Sequence, residues 1–377
     1  MVFTCRWGIL ATGGIASKFA KDLMEDPAKR EVDDVRHEIV AIASSTSKDR
    51  AEDFVRRMGI DKAHSSEIKC YGTYEELVNT PEVDIVYVAT PHSAHYENCK
   101  LALEAGKSVL CEKAFTINEP QAAHLIEIAR EKKVFLMEAV WTRFFPLCRH
   151  LQKILFEDRI LGKIHHVVAD CCLPFDLDNM PTAHRLLNPD LGGGALLDLG
   201  VYALTWIFMI AYNDPDNKLQ PPVVTSAMLK NDYTHVDEST NISLVFPKSH
   251  VSALANTSIR YRSREDDICR IQGDKGDIIV QWAPFRPTSF RIHLKDHISQ
   301  NNHADHGLDC DGEKVEFKPP GNGMFYEADE CARCIRDGKL ESSVMPLEES
   351  RQMMVVLDTV RKQNDFTFPE PIEQVYR

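Results

Sequence analysis

Positive charge is in short supply in this 377-residue chain: 44 lysines and arginines face 57 aspartates and glutamates, a net charge of -13. Such a surface repels a phosphate backbone, which excludes nucleic acid as a partner. No apolar run reads as long enough to cross a bilayer. The N-terminus enters its first strand without the basic segment, apolar core and small-residue cleavage site of a secretory leader. The eleven cysteines are odd in number and lack the spacing of a disulfide framework, so a reducing, cytoplasmic setting is expected. The one C-x-x-C, Cys331-Ala332-Arg333-Cys334, lies in a helical pattern with no second pair or histidine beside it. It reads as a buried structural pair, and no metal is assigned. Internal repeats and low-complexity linkers are absent too. Length and a 44% hydrophobic content leave room for two or three domains with real cores.

The most informative stretch is Arg6-Trp7-Gly8-Ile9-Leu10-Ala11-Thr12-Gly13-Gly14-Ile15-Ala16, a strand that breaks into a glycine turn and then a helix. Gly13 lets the backbone approach a dinucleotide pyrophosphate. Ala16 is small enough for the helix to pack on its strand, and the free amides at the helix start face the negative charge. Ala11 stands where the G-x-G-x-x-G/A fingerprint has its first glycine, so an ordinary strand-to-helix turn is the competing reading.

The pattern downstream of Ala16 favours the dinucleotide. Short apolar runs at 38–43, 84–89, 108–111 and 134–137 alternate with helical patterns, one from His95 to Ala105 and one capped by Asn118 with Pro120 in its first turn. That order predicts a doubly wound parallel sheet over residues 1–140, with ligands beyond the carboxyl ends of the strands. A charged stretch, 25–38, lengthens the first crossover beyond the usual spacing. Over 141–377 the pattern becomes antiparallel. Ile242, Leu244 and Phe246 alternate with polar neighbours, as do Phe290, Ile292 and Leu294, and Gly273-Asp274-Lys275-Gly276 reads as a hairpin turn. A helix over 348–362 is expected near the domain junction.

Several strand tips carry chemistry. After the second strand come Ser44, Ser45, Lys48 and Arg50, with no acid to hold the two ribose hydroxyls of NAD; hydroxyls and cations suit the extra phosphate of NADP. Thr90, His92 and His95 follow the next strand and are expected at the cofactor, helix capping being the alternative. Lys113, after Glu112, points from a buried strand end into the crevice, where it can steady an oxygen or lower a hydroxyl's pKa; a salt-bridged lysine is the bland alternative. In Gly192-Gly193-Gly194-Ala195-Leu196-Leu197-Asp198-Leu199-Gly200-Val201-Tyr202 the glycines permit close approach to a ligand or another backbone. Asp198 and Tyr202 share a helix face as orienting group and proton carrier, unless they merely cap and pack. His184 and Arg185 add donors upstream.

At these residues the chain resembles the glucose-fructose oxidoreductase, inositol dehydrogenase and rhizopine-catabolism superfamily, in particular its branch of dimeric dihydrodiol dehydrogenases and NADP-dependent D-xylose dehydrogenases. Residues 6–16, 108–113, 192–202 and 323–328 carry the likeness, and the run Met137-Glu138-Ala139-Val140-Trp141-Thr142-Arg143-Phe144-Phe145-Pro146 is its most specific part. The resemblance implies a Rossmann domain followed by an α/β domain on an open, mostly antiparallel sheet used for dimer contacts. It implies NADP at Ala11, Gly13, Gly14, Ile15, Ala16 and the strand tips, Glu112 and Lys113 included. Lys113 and Tyr202 become the catalytic pair, with Ala114 replacing the proline of the family's Glu-Lys-Pro motif. Asp198 would hold the sugar or the tyrosine, while Trp141, Arg143 and Arg185 would line the mouth of the site. The expected reaction is metal-free oxidation of an aldopyranose, foremost D-xylose, at C1 to the aldonolactone, with Lys113 lowering the pKa of Tyr202. Oxidation of arene trans-dihydrodiols, reduction of dicarbonyls, and a non-catalytic NADP-binding regulator of transcription are the rivals; retention of Lys113 and Tyr202 argues against the last.

Overall fold

The computed structural model describes residues 2–60, 67–294 and 312–376. Strand β1 (Phe3–Leu10) lies at the centre of a six-stranded parallel sheet with β2 (Val35–Ala43), β3 (Lys69–Tyr71), β4 (Ile85–Val88), β5 (Ser108–Glu112) and β6 (Leu136–Ala139), in the order 3-2-1-4-5-6. The order reverses between β1 and β4, the switch point outside which a doubly wound sheet binds its ligand. Sequence and structure agree on β4 and β5, while β2 starts three residues earlier and β6 two residues later than the apolar runs suggest. Asn118 caps the helix Glu119–Lys132 as expected, its side chain accepting from Gln121 N at 3.0 Å.

The second sheet has eight strands: β7 (Ile164–Cys172), β8 (Val223–Lys230), β9 (Asp237–Phe246), β10 (Val251–Ser258), β11 (Cys269–Gly273), β12 (Gly276–Val280), β13 (Ser289–Leu294) and β14 (Glu313–Glu316). Their order is 14-13-12-11-7-10-9-8, and every pairing is antiparallel except β7 with β10. The hairpin at 273–276 closes as expected, Gly273 opposite Gly276.

The two longer C-terminal helices return to the first sheet. The helix Phe325–Arg336 lies on β1 and β2, and Leu347–Gln363 lies on β6, on the helix Glu119–Lys132 and on β8, which makes it the element that joins the two sheets. This explains the long charged crossover after the first helix. From that crossover Arg30 pairs with Asp329 at 2.8 Å, both side chains almost wholly buried, and Asp34 pairs with Arg333 and Arg336. His37 extends the chain of contacts, its Nδ1 accepting from Trp7 at 3.1 Å while its Nε2 meets Asp329 at 2.9 Å. Cys331 and Cys334 are buried thiols in this same helix.

One expectation is corrected. The stretch Pro189–Tyr212 is 24 residues long and contains an 18-residue window of mean hydropathy 1.7, enough in length and composition to cross a membrane. Its most apolar window is wholly buried within the protein, packed on β7 and β10, so its apolarity belongs to a core that surrounds the helix on all sides.

Candidate active site

The turn after β1 has the shape a pyrophosphate needs. Ala11 takes φ 81°, the left-handed region glycine favours, and Gly13 is the N-cap of the helix Gly14–Leu23 with no side-chain cap on the free amides. A Cβ added to Gly13 or Gly14 would meet nothing within 4 Å, so this backbone faces open space. Ile15 is partly buried and Ala16 fully buried, the latter giving the close packing on β1 that a larger residue would prevent. At the end of β2, Ser44 is buried and Ser45 exposed. Lys48 and Arg50 open the next helix on the exposed side, Lys48 held only loosely by Glu52 at 3.7 Å. No carboxylate occupies that strand tip. An adenosine phosphate therefore finds amides, hydroxyls and two cations, and the residues present fit a phosphorylated dinucleotide.

The side chains of Thr90, His92 and His95, residues expected at the cofactor, hold neighbouring loops together. His95 is buried, with Nδ1 at 2.8 Å from Ala114 O and Nε2 at 2.9 Å from Thr90 O. The Thr90 hydroxyl accepts from Asn98 at 3.2 Å. His92 Nδ1 donates to Gly192 O at 3.0 Å, and burial depresses its pKa to about 3, so the ring is neutral. These contacts tie the end of β4 to the loop after β5, where the Lys113–Ala114 peptide is cis, and to the glycine loop of the second domain.

That glycine loop serves backbone packing rather than a ligand. A Cβ on Gly193 would lie within 2.9 Å of the carbonyls of Arg185, Leu186 and Asn188, and one on Gly194 would strike the buried carboxylate of Asp237. Beyond it, Leu196–Gly200 is a π-helical turn, a widened geometry common where side chains must be re-aimed. Asp198 and Tyr202 leave it together.

Lys113 joins them. Its Nζ donates to Asp198 O at 2.7 Å and to Asp198 Oδ1 at 3.1 Å, and lies 4.9 Å from the centre of the Tyr202 ring. Arg185, half exposed, reaches the same carboxylate at 3.0 Å. Burial alone would raise the Asp198 pKa, but the two cations outweigh it and hold the carboxyl well below the usual range. Glu112 turns the other way: it is buried, accepts the Tyr87 hydroxyl, and burial raises its pKa.

Tyr202 departs from expectation. Burial, then the charge of Glu112, pushes its phenol well above the ordinary value, and the group that hydrogen-bonds its oxygen is Trp141, whose Nε1 donates at 2.9 Å. Lys113 sits against the ring face instead of the hydroxyl. Trp141 lies parallel to Phe285 at 6.3 Å, with Tyr202 tilted on the same Phe285 ring at 5.7 Å. Phe285 was missed in the sequence; its signal was the cluster Trp282-Ala283-Pro284-Phe285 just after β12.

Arg143, expected at the mouth of the site, is buried instead. It is 3% exposed and forms a two-pronged ion pair with Glu349 of the helix Leu347–Gln363. Two residues after an exposed-looking aromatic, an arginine reads as a substrate donor, because nothing local reveals a carboxylate 206 residues away.

A parallel dinucleotide-type sheet, a turn open to phosphate and a cluster of partly buried Lys113 with buried Asp198 and Tyr202 define a nicotinamide-type oxidoreductase of two domains. The family models agree: residues 5–140 match the oxidoreductase family with NAD-binding Rossmann fold, and 149–279 match the GFO/IDH/MocA C-terminal domain. The chain belongs to the GFO/IDH/MocA oxidoreductase family. It is 46% identical, over 98% of its own length and 94% of the relative's, to D-xylose 1-dehydrogenase (NADP(+)) of Hypocrea jecorina. It is 34% identical, over 97% and 98%, to trans-1,2-dihydrobenzene-1,2-diol dehydrogenase of Mus musculus. Among solved structures, a 3-ketoreductase from Actinomadura kijaniata crystallised with NADP matches with TM-score 0.73, 24% identity and 97% and 100% coverage. An aldose-aldose oxidoreductase from Caulobacter crescentus matches with TM-score 0.75, 22% identity and 96% and 98% coverage. At these identities the two structures speak for the fold.

Proposed function

We propose that the protein oxidises an aldopyranose, D-xylose foremost, at C1 to the aldonolactone with NADP. The observation that carries the reading is the cluster of Lys113, Asp198 and Tyr202, found in a chain 46% identical to a D-xylose 1-dehydrogenase. NADP, when bound, supplies the carbon that accepts the C1 hydride with its electron pair. In its ionised, phenolate form Tyr202 takes the proton of the anomeric hydroxyl as C1–O becomes a carbonyl; the reverse reduction uses the protonated phenol. Lys113 and Arg185 keep Asp198 ionised, so that it accepts hydrogen bonds from neighbouring sugar hydroxyls and orients the ring. Trp141 and Phe285 offer an aromatic wall to the sugar's C–H face.

The NADP preference rests on the acid-free tip of β2 with Ser45, Lys48 and Arg50. We place the protein in a reducing cytoplasm, since all ten described cysteines are free thiols. A homodimer through the uncovered face of the second sheet is part of the same reading: Val223, Leu229, Val245 and Leu254 are exposed there on β8, β9 and β10.

A second reading, oxidation of arene trans-dihydrodiols, draws on the mouse relative and on the flat aromatic wall. Initial rates with NADP and NAD on D-xylose, D-glucose, L-arabinose and a benzene dihydrodiol decide. Highest kcat/KM on D-xylose with NADP supports the proposal, preference for the diol replaces it with the second reading, and binding of NADP without turnover of any would point to a regulator.

A further inference from the structure

The role of Tyr202 as proton carrier raises the question of what prepares its oxygen. Lys113 and Trp141 meet this side chain in different ways. The Lys113 ammonium sits 4.9 Å over the ring, its hydrogens directed to Asp198. Trp141 points at the oxygen itself, Nε1 to Oη at 2.9 Å, with both side chains buried. An indole N–H can only donate, so the direction of this bond is fixed. The hydroxyl must accept from Trp141, which leaves its own hydrogen free for a substrate oxygen.

We propose that Trp141 is the positioning residue of this site, orienting the Tyr202 hydroxyl and stabilising its phenolate, while Lys113 serves Asp198. The proposal rests on the reading of Tyr202 above. A bond donated to an oxygen strengthens by roughly a factor of two as that oxygen becomes charged, so Trp141 favours the ionised form. It is the group that opposes burial and the Glu112 charge at Tyr202. The other titratable neighbours are Cys171 on β7, Asp198 on the same helix, Tyr87 on β4 and Lys113 on the ring face.

The indole is also held for this purpose. Phe145 meets it edge-on at 5.6 Å and Phe285 lies parallel to it. The next residue, Thr142, donates to Phe285 O at 2.8 Å, and Arg143 is locked to Glu349. The donor therefore needs no reorganisation when charge develops. Because Trp141 opens the short helical turn Trp141–Phe144 just after β6, it joins the end of the first domain to a proton carrier in the second.

Two variants separate hydrogen bonding from packing. Trp141→Phe keeps an aromatic ring without a donor. Trp141→His, neutral above pH 8, returns an N–H the same number of bonds from Cβ as the indole nitrogen. With C1-deuterated D-xylose showing that hydride transfer limits turnover, Trp141→Phe should lower kcat at pH 8.5 by about ten- to a hundredfold. KM for NADP should stay within about twofold, and Trp141→His should recover most of the loss. In the cofactor-free protein, Tyr202→Phe should move the indole 1H–15N resonance of Trp141, identified by its loss in Trp141→Phe. Turnover in Trp141→Phe within about twofold of wild type, equal impairment in both variants, or an indole resonance unmoved by Tyr202→Phe would overturn the proposal. Full turnover in Tyr202→Phe would instead remove Tyr202 from the mechanism, and the indole resonance would still report whether the bond exists.

Discussion

The Lys113 ammonium lies 3.1 Å from Asp198 Oδ1 and 4.9 Å from the centre of the Tyr202 ring, while the Tyr202 oxygen is bonded by Trp141. The lysine thus works on a carboxylate first and on the tyrosine only through its ring face. Tyr202→Phe removes the proton carrier and should lower kcat by about 10²- to 10⁴-fold. Lys113→Met should lower it by a similar order through disordered Asp198, with NADP affinity, measured by fluorescence titration, little changed in either. Near-normal turnover would take that residue out of the mechanism.

Lys113→Met should also change acid stability. Asp198 is held below the ordinary carboxylate range, so its contribution is complete above the unfolded value of about 3.9 and is lost as pH falls through the folded value. Without Lys113 the folded pKa rises towards the unfolded one. The acid-unfolding midpoint, followed by circular dichroism, should then move to higher pH; an unchanged midpoint would mean Arg185 alone suffices.

Ser45→Asp should shift preference towards NAD. A carboxylate at the end of β2 repels the extra phosphate of NADP and accepts from both ribose hydroxyls. The ratio of kcat/KM for NADP over NAD is the measurement, and a ratio that does not fall would assign phosphate recognition elsewhere.

The Arg143–Glu349 pair is buried, both side chains under 5% exposed. Breaking one partner leaves the other charge unpaired, so Arg143→Met or Glu349→Gln should cost about 3–5 kcal/mol in urea unfolding. The double variant Arg143→Met/Glu349→Met should recover much of that. Additive losses would show that the two do not act as a pair.

Glu138 gives a stability effect of opposite sign to Asp198. Its Oε1 accepts from Phe115 N at 3.0 Å, the Ser350 hydroxyl lies beside the carboxyl, and burial outweighs both in raising its pKa to about 7. The folded state holds this proton where the unfolded chain has released it, so stability falls as pH rises from about 4.3 towards 7. Glu138→Gln removes that dependence. Its stability relative to wild type should grow between pH 5 and pH 8 by up to about 3 kcal/mol, read from urea midpoints. A constant difference would place a charged Glu138 in the fold.

Local pattern determined the parallel sheet and the glycine turn after β1, and it marked Lys113, Asp198 and Tyr202 as candidates whose roles only the family resemblance suggested. Strand tips in a doubly wound sheet converge on one crevice, and alternation with helices is visible in the order of residues. The hairpin at 273–276 and the cap at Asn118 were legible for the same reason: their chemistry lies within a few neighbouring positions. Tertiary structure alone decided the partners. It turned Arg143 inward to Glu349, made His92 and His95 struts between loops, aimed Trp141 at the Tyr202 oxygen and brought Phe285 beside both. It also explained the long first crossover, which exists to meet Asp329, Arg333 and Arg336 of a helix about 300 residues further on. Propensity and periodicity register which face of an element is apolar. They carry no information about which distant side chain will supply a donor, a counter-charge or a wall, because that depends on how the folded layers meet.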